Sequence, residues 1–148
     1  MLKTRVLGID FGLARIGLAI SDPLRVIASP LENLAATHSL EKTVEALVAY
    51  IAKLKSDKGY SIGEIVVGLP LHMDGSESER SQIVRQFASL LESKAELKVQ
   101  LLDERLSSVQ ADRALMETGF SRKKRAQVVD RVSAVIILQT FLNQKARL

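Results

Sequence analysis

Arg5-Val-Leu-Gly-Ile-Asp-Phe-Gly-Leu-Ala-Arg-Ile-Gly-Leu-Ala-Ile20 reads as two apolar runs folded back on one another. The first, Arg5 to Asp10, is a buried strand; Phe11 to Ala14 is a turn; Arg15 to Ile20 returns as a second strand. Gly8, Gly12 and Gly17 fit a sharp turn and close backbone approach. Asp22-Pro23 turns the chain again, and a third strand is expected within Arg25 to Leu34, limited by Pro30.

Further along, the period changes. Leu40, Val44, Leu47, Ile51 and Leu54 recur at three or four residues, which predicts an amphipathic helix over Ser39 to Lys58, capped by Ser39 and ended by Gly59. Glu64 to Gly68 is a strand. Ser76-x-x-Glu79 fits a capping box that opens a helix with Ile83, Val84, Phe87, Leu90 and Leu91 inward. Lys98 to Asp103 is the last strand. Ser107-x-x-Gln110 caps a helix that stops before Gly119, and a final helix runs from about Ala126 to Leu142. The order β-β-β-α-β-α-β-α-α predicts an α/β fold, a mixed sheet with helices on its faces. The absence of repeats or a Pro-, Gly- or Ser-rich linker predicts a single domain over 1–148.

Composition narrows the chemistry. The 148 residues are 47% hydrophobic and 26% charged, which excludes disorder as the main state. The longest uncharged apolar-rich run, Val132 to Leu142, is too short to cross a bilayer, and the N-terminus lacks a secretory pattern, so a cytoplasmic protein is expected. Without cysteine there are no disulfides, thiolate nucleophiles or Cys zinc sites, and His38 and His72 are too few for a His-rich metal centre. Any metal must be held by oxygen, which favours Mg²⁺ or Mn²⁺.

Charge is concentrated. The window 121–131 holds Arg122, Lys123, Lys124, Arg125 and Arg131 against Asp130, which accounts for the whole net charge of +4. Such a cluster is either a solvated loop or a phosphate-binding patch. With 4% aromatics, a base-stacking platform is disfavoured, and the nucleic-acid backbone is the expected contact.

Three acidic positions stand at the ends of elements. Asp10 ends the first strand, Asp103-Glu104 end the last, and Asp130 lies in the apolar helix Val128 to Leu138. Ligands gather outside strand ends in α/β sheets. Asp130 has only Ala126, Gln127, Ser133, Ala134 and Ile137 at helical neighbour spacing, so a local salt bridge does not explain it. Either a distant Arg or Lys compensates it, or a cation is shared among the acids. Carboxylates converging from these positions can hold one or two ions that clamp a phosphodiester. Arg15 at the hairpin tip and Arg105 after Glu104 are candidate phosphate ligands or partners of neighbouring acids.

Four stretches carry a family resemblance: Gly8 to Gly17, Val67-Gly-Leu-Pro-Leu-His-Met-Asp-Gly75, Asp103-Glu-Arg-Leu-Ser107, and Asp130-Arg-Val-Ser-Ala-Val-Ile-Ile-Leu138. In these the chain resembles the YqgF/RuvX family of pre-16S rRNA nucleases, relatives of RuvC-type Holliday junction resolvases. The resemblance implies a ribonuclease H-like five-stranded sheet with its second strand antiparallel. It implies Asp10, Glu104 and Asp130 as the metal-binding acids and maturation of the 16S rRNA 5′ end as the function. The family's Ala-Ala after the helical Asp is Ser133-Ala134 here. The expected partner is nucleic acid, precursor rRNA or alternatively branched DNA, with a homodimer compatible and no membrane. A non-catalytic RNA-binding module remains the alternative from another class. A two-domain nucleotide-binding kinase fold, which Asp10-Phe-Gly12 and Gly17 mimic, needs a second domain.

Overall fold

The computed structural model describes residues 3–107, 109 and 122–147; of 122–131 it describes the helical backbone and not the side chains. The strands are β1 (Arg5–Phe11), β2 (Arg15–Ser21), β3 (Ala28–Pro30), β4 (Leu34–Ala35), β5 (Ile62–Leu69) and β6 (Lys98–Asp103). The helices are α1 (Leu40–Lys58), α2 (Glu79–Ala95) and α3 (Arg122–Ala146), with a 3-10 turn over Glu104–Leu106.

The sheet order is β3-β2-β1-β5-β6, with β4 also paired to β2. β1 and β2 are antiparallel, whereas β1, β5 and β6 run parallel. The mixed sheet and its antiparallel second strand follow the expectation, with one correction. The third strand is broken into β3 and β4, which pair with opposite ends of β2, so the sheet has six strands rather than five. Pro30 brings no N–H to the ladder; after a bond from Leu31 N–H to the Leu18 carbonyl the chain leaves β2 and rejoins it at Leu34.

Alternation along the strands sorts the sheet into two faces. Leu7, Ile9, Phe11, Leu18, Ile65 and Val67 pack with Val44 and Leu47 of α1 and Val84, Phe87 and Leu91 of α2. On the other face Val6, Ala19, Val66 and Leu102 meet Ala134, Ile137, Leu138, Phe141 and Leu142 of α3. Gly8 sets the depth of that second contact. A Cβ there would lie 2.6 Å from Leu138 Cβ and 3.3 Å from the Ala134 carbonyl, so α3 rides against bare backbone.

The helix ends show where side-chain chemistry overrides pattern. Ser39 caps α1 by accepting from Lys42 N, and Gly59 closes it at φ 71°, both as expected. α2 is capped by Ser78 rather than Ser76. Ser78 Oγ accepts from Ser81 N at 2.9 Å, and Ser81 Oγ accepts from Ser78 N at 2.8 Å. Ser76 is instead engaged with Asp74 Oδ1 through both its N–H and its hydroxyl. α3 is longer than Ala126 to Leu142, extending to Arg122 and Ala146 because Lys, Arg, Gln and Ala all propagate helix well. The helix expected between Ser107 and Gly119 falls outside the described residues except at Ser107 and Val109; Ser107 closes the 3-10 turn and Val109 is buried on the α3 side.

Candidate active site

Asp10 follows Val6 and Gly8 at strand period, which aims it at the α3 face, and it is buried at 7% exposure. Its ladder partner on β2 is Gly17. On the other side of β1, Ile9 pairs with Val67, so the next position of β5, Gly68, runs level with Asp10. Gly68 in turn pairs with Leu102 near the end of β6.

Glu104 begins the 3-10 turn directly after β6 and is 2% exposed. Its carboxylate lies over Gly68: a Cβ at that glycine would stand 2.8 Å from Glu104 Oε1 and 2.5 Å from Ile137 Cδ1. Asp10 and Glu104 therefore reach one face of the sheet from either side of a strand position that carries no side chain. Both acids are engaged in interactions within the protein, as is Arg15 at the start of β2.

The Asp103-Glu104 pair resolves into two roles. Asp103 Oδ1 accepts from Arg105 N at 2.9 Å, and its two oxygens take the Arg105 guanidinium at 2.6 to 3.1 Å. The Arg105 hydrogen bonds hold the Asp103 carboxyl below its ordinary pKa. Asp103 thus caps the turn that swings Glu104 into the site. Arg105 also donates from Nη1 to the Met73 carbonyl at 3.3 Å, and its guanidinium covers Gly75, whose φ is 88°. It therefore ties the loop after β5 to the turn that carries Glu104.

Of the remaining candidates, Asp130 and Arg122, Lys123, Lys124 and Arg125 have side chains outside the described residues. Their backbone lies within α3, so the basic stretch belongs to that helix instead of preceding it as a loop. Among the described residues no three His, Asp or Glu converge on one point. The described pair offers only hard oxygen donors, which suits a divalent cation of the magnesium class. Sequence reasoning did not single out Gly68 as the floor of the site; its signal is a glycine inside the apolar strand Ile65-Val-Val-Gly-Leu69. It also passed over Arg80, whose Nη2 donates to the Phe11 carbonyl at 3.0 Å and anchors α2 to the hairpin.

Comparison with known proteins follows the same lines. A sequence family described as RuvX, Holliday junction resolvase, matches residues 4–144. A Protochlamydia amoebophila protein named for a pre-16S rRNA nuclease activity is 46% identical, over 96% of this chain and 95% of its own. A Koribacter versatilis protein of the same name is 44% identical, over 95% of this chain and 88% of its own. Among solved structures, Thermus thermophilus RuvC in complex with Holliday junction substrate superposes at a TM-score of 0.54. At 15% identity, covering 97% of this chain and 96% of that one, it shares the ribonuclease H-like fold.

Proposed function

Because this chain belongs to the RuvX family and is a nuclease, we propose that it hydrolyses phosphodiester bonds of precursor 16S rRNA in the cytoplasm, using a divalent cation held by Asp10, Glu104 and Asp130. The observation that carries this reading is the pair of buried acids, Asp10 and Glu104, sharing one sheet face across Gly68.

Asp130 is the third acid of this reading, and the direction of α3 supports it. Gly8 faces Leu138 and the Ala134 carbonyl, whereas Val6, two residues earlier on β1, lines a cavity with Phe141 and Leu142. Asp10 is two strand residues beyond Gly8, a rise of about 6.6 Å. Helix α3 therefore runs toward its N-terminal end as β1 runs toward Asp10, which is the direction in which position 130 lies.

Asp10 and Glu104 are fixed by strand pairing and by the capped turn, so their oxygens are held in place before substrate arrives. Bound among them, Mg²⁺ or Mn²⁺ would lower the cost of charge on the phosphate and activate water for in-line attack. The bare backbone at Gly68 leaves room for the Glu104 carboxylate to lie on the sheet beside Ile137 of α3. Arg15 and the stretch Arg122 to Arg125 supply cations for the phosphates on either side.

The family's description as a Holliday junction resolvase supports a second substrate, branched DNA. One experiment separates the readings: pure protein, with and without Mg²⁺, on a precursor 16S rRNA fragment and on a four-way DNA junction. Metal-dependent RNA cleavage that disappears in Glu104→Gln is expected. Junction cleavage alone would reassign the substrate, and cleavage retained in Glu104→Gln would remove Glu104 from the site.

A further inference from the structure

The sheet edge that carries the acids also carries a cavity that the hydrolytic step does not use. It encloses about 450 Å³ between the β1–β2 hairpin and the start of α2, within the size range of small-molecule sites. Its lining combines apolar side chains, Phe11, Leu13 and Ile83, with polar ones, His72, Ser78, Glu79 and Arg80. Its walls are fixed by the Arg80–Phe11 hydrogen bond and by Ser78 Oγ, which donates to the Pro70 carbonyl at 2.9 Å.

The surroundings are apolar where a hydrolase of charged polymers gains nothing from apolar surface. Among the described residues six large hydrophobic side chains are exposed. Three of them, Leu13 at 69%, Met73 at 76% and Leu106 at 63%, sit on the loops after β1, β5 and β6, at the strand ends where Asp10 and Glu104 lie. Such clustering marks a binding surface more than chance exposure does.

We infer that this cavity receives an unpaired nucleobase of the substrate strand, next to the scissile phosphate, with Leu13 and Ile83 against its face and His72, Glu79 and Arg80 at its edge. The inference rests on the nuclease reading, since the acids fix where the phosphate lies. Asp10 and Phe11 are consecutive and address opposite faces of the sheet. A strand crossing that edge with a phosphate at Asp10 brings its neighbouring nucleotide onto the hairpin tip. A base has an apolar face and an edge of donors and acceptors, and the lining supplies groups of both kinds. In a duplex that edge is already paired, so only an unstacked base can enter.

Binding of a fluorescent 12-nucleotide single-stranded RNA, compared with a 12-residue abasic ribose-phosphate strand, tests this. Both carry the same phosphates, so cationic contacts contribute equally to each. With cleavage-dead Glu104→Gln as background, the intact strand should bind about tenfold tighter, the scale of burying one aliphatic side chain. Leu13→Ser and His72→Ala, both at exposed positions, should lower binding of the intact strand and leave the abasic strand unchanged. Equal binding of the two strands, or an equal loss on both in the variants, would overturn the inference. RNA cleavage by wild type is read in parallel. Cleavage with no base discrimination sinks the cavity and spares the nuclease reading; discrimination without cleavage does the reverse.

Discussion

Gly68 and Glu104 occupy space that only one of them can fill: the Glu104 Oε1 atom lies 2.8 Å from the point where any other residue at 68 would place its Cβ. The same Cβ would meet Ile137 Cδ1 at 2.5 Å, so the glycine admits both the Glu104 carboxylate and the helix that covers it.

Gly68→Ala is therefore expected to push the carboxylate off the sheet and to overpack the α3 contact. The stability loss should be about 1–3 kcal/mol. Cleavage should fall further than stability explains, because Glu104 no longer meets Asp10 across the strand. Thermal melts and single-turnover cleavage, measured on the same preparation at a temperature where the variant is folded, separate the two effects. Activity close to wild type would show that Glu104 does not need that floor.

Much of this architecture was legible in the chain because local and global signals agree. Two apolar runs separated by a turn in Arg5 to Ile20 gave the hairpin, and Ser39 with Gly59 bracketed α1 at both ends. Legibility failed where one side chain had two options. Ser76 and Ser78 both suit an N-cap, and the choice fell to Ser78 because Asp74 had engaged Ser76. By residue pattern Asp103 and Glu104 were equivalent neighbours, and only the family resemblance pointed to Glu104; the physical difference is that Arg105 claims Asp103. The role of Gly68 needs two strands and a helix brought together, which no local pattern encodes.

Metal binding should be visible without catalysis. If Asp10, Glu104 and Asp130 share a divalent ion, the melting temperature should rise with Mn²⁺ by linkage, about 2.7 kcal/mol of stabilisation at a hundredfold excess over Kd. In Asp130→Asn the rise should be small or absent. An undiminished shift in that variant would show that Asp130 is not a ligand.

The Arg105–Asp103 pair predicts a pH signature. The pair is partly open to solvent, which screens it, so its bidentate geometry should contribute only modestly to stability at neutral pH. The Asp103 carboxyl is held below its ordinary value, so this contribution is complete above the unfolded pKa of about 3.9. It is lost as pH falls through the lower folded value. Asp103→Asn should thus lower the melting temperature at pH 6–7 and converge with wild type in strong acid. Arg105→Ala should additionally raise hydrogen exchange in the loop 72–76, which it holds through the Met73 carbonyl. Exchange unchanged in that loop would mean that Arg105 serves the turn alone.

If Arg122 to Arg125 hold substrate, the start of α3 sets stability against binding. Its first turn contains no acidic residue and opens on Arg122-Lys-Lys-Arg125. Helix N-termini carry partial positive charge, so cations there are unfavourable by about 0.3–1 kcal/mol each near the surface. Ordinary surface residues would be replaced at such positions by Asp, Glu or Ser without loss. If the stretch instead holds phosphates beside position 130, its retention has a functional reason. Replacing all four residues with Ala should then raise the melting temperature and at the same time weaken RNA binding. The slope of log K against log salt should flatten by roughly 3, at about 0.7 per phosphate contact on a single strand. Affinity should fall alike for unrelated sequences, because these contacts position the strand without reading it. Binding across a salt series with Glu104→Gln as background measures the slope, and melts of the same proteins measure stability. A quadruple variant that melts higher with an unchanged slope would make the stretch a solvated helix end, and would leave Arg15 as the principal candidate for holding the strand.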